Sequence, residues 1–242
     1  MSYPDVLPHD PPKQIAEDLF VVHGCVKPNA VVRFTRNMTI VRDHGRLTLI
    51  NSVRMDDARL SRLDELGEVA HVLRLGSAHG MDDQFYVDRY NADFWSFEGG
   101  TTYTKPATKR VLSEEGALPF SNAKLFAFDH LIEPEGAILL EREPGGILLT
   151  CDAIQSYATF PHTPHTNWLA RRMLPMIGFP RKTLIGPLWM KHAVKDREGI
   201  KAEFKRLMAL DFNQLLAAHG TFLSENAHVE VERAYEKMFS QS

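Results

Sequence analysis

The stretch Val69–Tyr86, VAHVLRLGSAHGMDDQFY, decides how the rest of the chain is read. Its first seven residues, Val69 to Leu75, are an apolar run of strand length. A loop follows over Gly76 to Met81. A helix is expected from about Asp82 to Asn91, and a short strand around Asp93 to Trp95. Strand, loop, helix and strand in this order form a β-loop-α-β unit. A loop that leaves the C-terminal end of a buried strand and enters a helix is where α/β proteins hold ligands. His79 and Asp83 lie in or next to that loop with three residues between them. Neutral imidazole and carboxylate are donors that suit zinc, iron or manganese.

Strands and turns precede this unit. Leu19–Val22 and Val31–Arg36 read as strands. Met38–Val41 and Leu47–Ile50 read as a hairpin around Asp43-His44-Gly45, with Gly45 supplying tolerance of positive φ. Asp57–Leu66 has Leu60, Leu63 and Leu66 at helical spacing and stops at Gly67. After the unit, Ala123–Phe128, Ala137–Glu141 and Ile147–Cys151 are apolar runs, the last two joined by the turn Pro144-Gly145-Gly146. A polar loop, Gln155–His165, leads to a helix over Asn167–Met176. Glu198–Leu210 reads as a helix, Asn213–Ala218 as an extended segment and Asn226–Phe239 as a C-terminal helix. The order suggests two similar α/β halves, with two sheets stacked face to face and helices outside. Residues 1–15, proline-rich through Pro12, read as an N-terminal arm on a single domain spanning 1–242.

The bulk properties narrow the function. The 242 residues are 44% hydrophobic and 24% charged, ordinary for a globular protein, with a formal net charge of −3. No basic stripe stands out, which argues against nucleic-acid binding. Cys25 and Cys151 form no CxxC pattern and no disulfide framework. The N-terminus lacks the charged start and apolar run of a secretion signal, and no apolar segment approaches the ~20 residues of a membrane helix. A cytoplasmic protein acting on a small molecule, with no nucleic-acid or membrane partner, is the expectation. Oligomeric state is not legible.

Three further segments carry a resemblance. LTLINSV (47–53), GGILLTCDAIQ (145–155) and LLAAHGTF (215–222), together with the His79 loop, resemble the metallo-β-lactamase superfamily from Leu19 to about Phe239. That family carries an HxHxDH motif in the loop. The resemblance implies a four-layer αββα sandwich and a metal-dependent hydrolase. It makes Asp152 match the family's metal-bridging aspartate and His219 its last histidine. The departures are marked: the loop reads HxMxDQ, with Met81 and Gln84 where histidines belong, and Asn51 stands where the family has aspartate. The remaining histidine slot falls on His130 or, counted back from Gly136, near Glu133. The implied site is one divalent ion, zinc before iron or manganese, held by His79, Asp83, Asp152 and His219. Asp83 and His130 take the catalytic roles, His130 as a fifth ligand or general acid. The alternative is a metal-free, non-catalytic binding or interaction protein on the same fold.

Ordinary structural roles compete with each of these. Asp83 could serve as a first-turn helix carboxylate, Asp152 as a turn cap, and His79 and His219 as hydrogen-bonded loop histidines. His162 and His165 in FPHTPHTNW read as a surface segment with Thr166 capping the next helix. Cys151 reads as a packed thiol. Phe85, Tyr86, Tyr90, Phe94 and Trp95 read as core and sheet packing. Asp82 and Asp88 read as a solvated helix face, with Asp82 as a substitute ligand should the alignment slip by one.

Overall fold

The computed structural model describes residues 3–157, 165–176, 178–179 and 182–240. Its first half runs β1 (Lys13–Ala16), β2 (Leu19–Val26), β3 (Phe34–Asp43), β4 (Arg46–Ile50), α1 (Asp57–Asp64), β5 (Glu68–Arg74), α2 (Asp83–Tyr90), β6 (Asp93–Ser96) and β7 (Arg110–Val111). The second half runs β8 (Ala123–Phe128), β9 (Glu135–Leu140), β10 (Gly146–Thr150), β11 (Ile154–Ser156), α3 (Trp168–Met176), β12 (Thr183–Ile185), α4 (Pro187–His192), α5 (Arg197–Met208), β13 (Phe212–Ala217) and α6 (Ala227–Phe239). Strands β1 to β7 make one sheet in sequential order. A second sheet has the order β13-β10-β9-β8, and β11 pairs with β12.

Period-two alternation splits each strand between two cores. Leu19, Val21, Ile50 and Leu73 face Leu125, Ile138, Leu149 and Leu216 between the sheets. Their neighbours Phe20, Val22, Met38 and Leu49 face Leu60 and Leu63 of α1 and Tyr86 of α2. On the far side, Phe126, Leu139 and Leu148 meet Ile200, Phe204 and Val231 of α5 and α6. Helix, sheet, sheet, helix is the four-layer sandwich expected from the order of elements. Each buried Leu or Phe contributes roughly 1.5–3 kcal/mol.

Several elements differ from the sequence expectation. Val31–Arg36 and Met38–Val41 are not two strands. One ten-residue strand, β3, runs from Phe34 to Asp43 and pairs along its length with β2. It turns through His44 (φ 49°) and Gly45 (φ 78°) into β4, as the positive-φ reading required. The arm reaches less far than residue 15, because Lys13–Ala16 pairs with β2 as an edge strand. The residues before it are anchored too. His9 is buried, its Nδ1 donates to the Leu7 carbonyl, and its Nε2 accepts the Asp56 amide. The Asn213–Ala218 segment is β13, paired in parallel with β10. Strands β7, β11 and β12 and helix α4 are too short to show periodicity.

His71, buried in β5, yields a pH prediction. Burial and the Arg46 cation push its imidazole below the ordinary range, and its Nδ1 accepts the Trp95 indole N–H at 3.2 Å. The folded ring therefore binds fewer protons than the unfolded one. Its contribution is complete above about pH 6.5 and is lost as pH falls from there toward the lower folded value. Thermal unfolding at pH 7.5 and 5.5 should show a smaller loss on acidification for His71→Gln than for the unsubstituted protein. An equal loss in both would remove His71 as the cause.

Candidate metal centre

Three loops leave strand ends and converge. The 3-10 turn Ser77–His79 follows β5, Asp152 follows β10, and His219 follows β13. Thr150 pairs with Ala217 in the parallel β10–β13 ladder, so the two chains exit side by side. Asp152 lies between two imidazoles: His79 Nε2 is 3.4 Å from one of its oxygens and His219 Nε2 is 3.1 Å from the other. The ligand atoms of these three residues all lie within 4.8 Å of one another.

Gly220 allows this placement of His219. It adopts φ +94°, and a Cβ there would stand 1.8 Å from the Ser156 carbonyl oxygen, so no other residue fits without moving the backbone.

A polar run inside β3 secures the rest. Thr35, Arg36 and Asn37 are all buried. The Thr35 carbonyl accepts His219 Nδ1–H at 2.7 Å. Arg36 donates to the carbonyls of Ser52 and His79 and pairs with Asp82 at 3.0 Å. Asn37 donates to the carbonyls of Ala217 and Gly220. Each of these side chains or carbonyls holds a different wall of the site.

The donor set fits a metal ion. With Nδ1–H committed to Thr35, a neutral His219 turns the lone pair of Nε2 toward the Asp152 carboxylate. Two acceptors at 3.1 Å repel unless a cation or proton lies between them. A tetrahedral site with bonds of 2.0–2.1 Å has ligand atoms about 3.3 Å apart, close to both distances here. Burial lowers the His79 imidazole, which favours its neutral, ligating form. Burial would raise the Asp152 carboxyl, but protonated imidazoles on both sides hold it well below the usual range, and a cation between the three groups would do the same. His79 departs from a complete site in one respect. Its Nδ1 is buried with no hydrogen-bond partner, where metal-bound histidines usually donate to a second group.

A second group, Glu135, Cys151 and Asp152, also lies within 4.8 Å. Glu135 is committed elsewhere, accepting the Ala153 amide at 2.6 Å and the Trp189 indole N–H at 3.1 Å. Burial and the Asp152 charge raise its carboxyl well above the usual range. Burial keeps the Cys151 thiol protonated. Cys151 and Cys25 are both free thiols.

Asp83 is not brought to either group. Fully buried, it accepts the Ser52 hydroxyl at 2.5 Å and Arg74 Nε at 2.8 Å. Arg74, which the sequence reading left inside the strand, neutralises it. His130 is also elsewhere. It stands partly exposed against α5, with Nδ1 2.8 Å from Glu203, whose hydrogen bond raises the imidazole pKa. Glu133 faces the cavity but its carboxylate takes the Thr101 and Thr102 amides. Gln84 donates to Asp88 on the outer side of α2. Asp82 is buried against Arg36 and the Arg54 amide, not solvated, while Asp88 is exposed as expected. Asn51, at φ 54°, accepts the Leu75 amide. His165 pairs with Asp10, and Thr166 accepts the Thr35 amide, so Asn167 takes the capping position of α3, accepting the Ala170 amide. His162 lies outside the described residues.

The centre opens into a cavity of about 750 Å³. Its walls are mostly apolar and include Phe34, Met81, Leu174, Phe179 and Trp189. Arg36, Glu133 and Gln155 add polar points.

Sequence comparison matches the chain to no family model and to no curated protein. Structural comparison is informative. The chain is similar to the metallo-β-lactamase of Erythrobacter litoralis, with 10% identity, a TM-score of 0.59, and 93% of this chain and 92% of that one covered. It is similar to the DIM-1 metallo-β-lactamase, with 12% identity, a TM-score of 0.62, and coverage of 97% and 100%. It is similar to the metallo-β-lactamase FIM-1 of Pseudomonas aeruginosa in its mono-zinc form, with 11% identity, a TM-score of 0.58, and coverage of 97% and 98%. The fold is therefore that of the metallo-β-lactamases.

The Asp83–Arg74 pair predicts a stability effect separate from metal binding. Removing one partner of a buried pair strands the other charge, at about 3–5 kcal/mol. Asp83→Ala should lose stability on that scale in urea unfolding. The double variant Arg74→Met/Asp83→Leu, which removes both charges, should recover part of it.

Proposed function

We propose that this protein is a metal-dependent hydrolase with a mononuclear site, holding one divalent ion through His79, Asp152 and His219. The observation that carries the reading is the carboxylate set between two imidazoles on the wall of a mostly apolar cavity. Two histidines and a carboxylate that leave one position open are the pattern of catalytic zinc sites, and the same donors accept iron or manganese. The similarity to a metallo-β-lactamase solved in a mono-zinc form supports a single ion.

A bound ion would supply Lewis-acid polarisation and would lower the pKa of a water to about 7. The protein's own groups supply the rest. The Thr35 carbonyl fixes the His219 tautomer, so Nε2 stays available. Asp152 balances positive charge at the centre. Arg36 holds the His79 backbone in place through its carbonyl. The apolar walls exclude bulk water and favour a substrate with hydrocarbon or aromatic bulk beside its scissile bond, such as an ester, thioester or lactone. Glu133, which lines the cavity, gives such a small molecule a polar point of orientation.

Metal content decides this reading. Protein prepared without a histidine tag should carry about one zinc, iron or manganese per chain. His79→Ala, Asp152→Ala and His219→Ala should each lose it, and His130→Ala should keep it. Hydrolysis of a panel of chromogenic aryl esters and lactones should fall at least tenfold in the first three variants. No metal after reconstitution with all three ions would leave the fold as a metal-free binding module and overturn the proposal.

A further inference from the structure

The charge of the chain is unevenly distributed. Between Asp152 and Asp196 there is no acidic residue, yet there are six cations: Arg171, Arg172, Arg181, Lys182, Lys191 and Lys195. The whole chain has a net charge of −3, so this segment is a cationic region on an otherwise acidic molecule. Arg172, Lys182, Lys191 and Lys195 are exposed.

The same segment exposes large apolar side chains. Along α3, Trp168, Arg172 and Met176 recur at four-residue intervals and share one outward stripe, while Ala170 and Leu174 are buried beneath. Trp168 is 72% exposed and Met176 85%. Met173 on α3, Leu188 on α4 and Ile132 before β9 are also exposed, and all three line the cavity. Val31 joins them, because the Asn167 side chain donates to its carbonyl at 2.7 Å and ties it to the start of α3. Exposed apolar residues grouped in this way mark an interaction surface. Met173, Leu188 and Ile132 line the cavity, and cations adjoin them: Arg172 precedes Met173 on α3, and Lys191 lies one turn from Leu188 on α4.

Apolar side chains interleaved with arginine and lysine fit a surface that is hydrocarbon inside and anionic at its boundary. Tryptophan sits well at such a boundary, and basic residues are drawn to anionic headgroups. We propose that α3, α4 and the lip residues Val31 and Ile132 dock on an anionic lipid surface, with the cavity mouth facing the lipid. This contact lies on the surface and does not cross it; no helix among the described residues is long and apolar enough to span a membrane. Nucleic acid would use the cations but would leave Trp168, Met173 and Met176 without an apolar partner. The docking surface does not depend on a bound metal.

Flotation with vesicles tests this using the full-length chain. Vesicles of phosphatidylcholine mixed with phosphatidylglycerol should carry the protein, vesicles of phosphatidylcholine alone should not, and added salt should release it. Each cation removed should weaken binding about fivefold, so Arg172→Gln/Lys191→Gln should lose roughly 25-fold. Trp168→Ser should also weaken binding. Tryptophan emission should shift to the blue on mixed vesicles and not in Trp168→Phe, since Trp189 is already buried and Trp95 is half-buried against the core between the sheets. The substituted side chains are exposed, so thermal midpoints should not change, which separates lost docking from lost folding. No binding to mixed vesicles, or binding unchanged in these variants, would overturn the proposal. So would a concentration-dependent dimer that Trp168→Ser dissociates without any vesicle binding, which would make a second copy of this chain the occupant of the patch.

Discussion

The parallel pairing of β10 with β13 is the constraint on which the site depends. Asp152 and His219 are 67 positions apart in the numbering, and no local preference brings them together. The ladder does so, because two strands running the same way in register release their loops at the same edge. The third member, His79, arrives from the other sheet, and the apolar layer between the sheets fixes its distance. A shift of one residue in β10 would turn Leu148 toward the inter-sheet core and Leu149 away from it. The centre is therefore as well defined as the packing of the sandwich, and the Gly220 turn is its most constrained local element.

Asp83 shows how a motif position can change its use while keeping its residue. Arg74 ends β5 and reaches the Asp83 carboxylate as well as the carbonyls of Tyr103 and Lys105. A fully buried carboxylate must be compensated, and a guanidinium within 3 Å does this without a metal. Once Arg74 holds that position, Asp83 gains nothing by turning toward the His79 centre. Arg36 and Asp82 repeat the arrangement beside it. Two buried ion pairs thus lie beside the His79 loop and commit the carboxylates of Asp82 and Asp83 to arginines.

The architecture was legible in the sequence because burial imposes periods. The hairpin through His44 and Gly45, the Leu60/Leu63 helix and the apolar runs of β8 to β10 follow directly from alternation and turn chemistry. His79 was legible through its place in the loop after an apolar strand, and Asp152 and His219 through the resemblance of their segments to the metallo-β-lactamases. Their convergence was not, since it is set by long-range pairing. Asp83 and His130 were misplaced for a related reason: their partners, Arg74 and Glu203, lie on other elements, and a donor's availability cannot be read until its partners are known. The one overlooked signal was Thr35-Arg36-Asn37. Three consecutive polar residues within a strand that buries both faces must be satisfied from within the protein, and here they hold the His219 tautomer, the His79 backbone and the Gly220 turn.

Net charge is equally poor at showing where a protein will act. A total of −3 describes the molecule at long range, but the Debye length is about 8 Å at physiological salt, so a surface meets its partner with its own local charge. The acid-free stretch between Asp152 and Asp196 supplies β11, α3, β12 and α4, and α3 and α4 contribute residues to the cavity lining. One segment therefore begins with the central carboxylate of the candidate centre and then carries cations next in sequence to the cavity-lining Met173 and near Leu188. Because Met173 and Leu188 belong to both the cavity lining and the exposed patch, whatever covers the patch also controls access to the centre. Surface and cavity are therefore a single apolar feature, continuous through Met173 and Leu188.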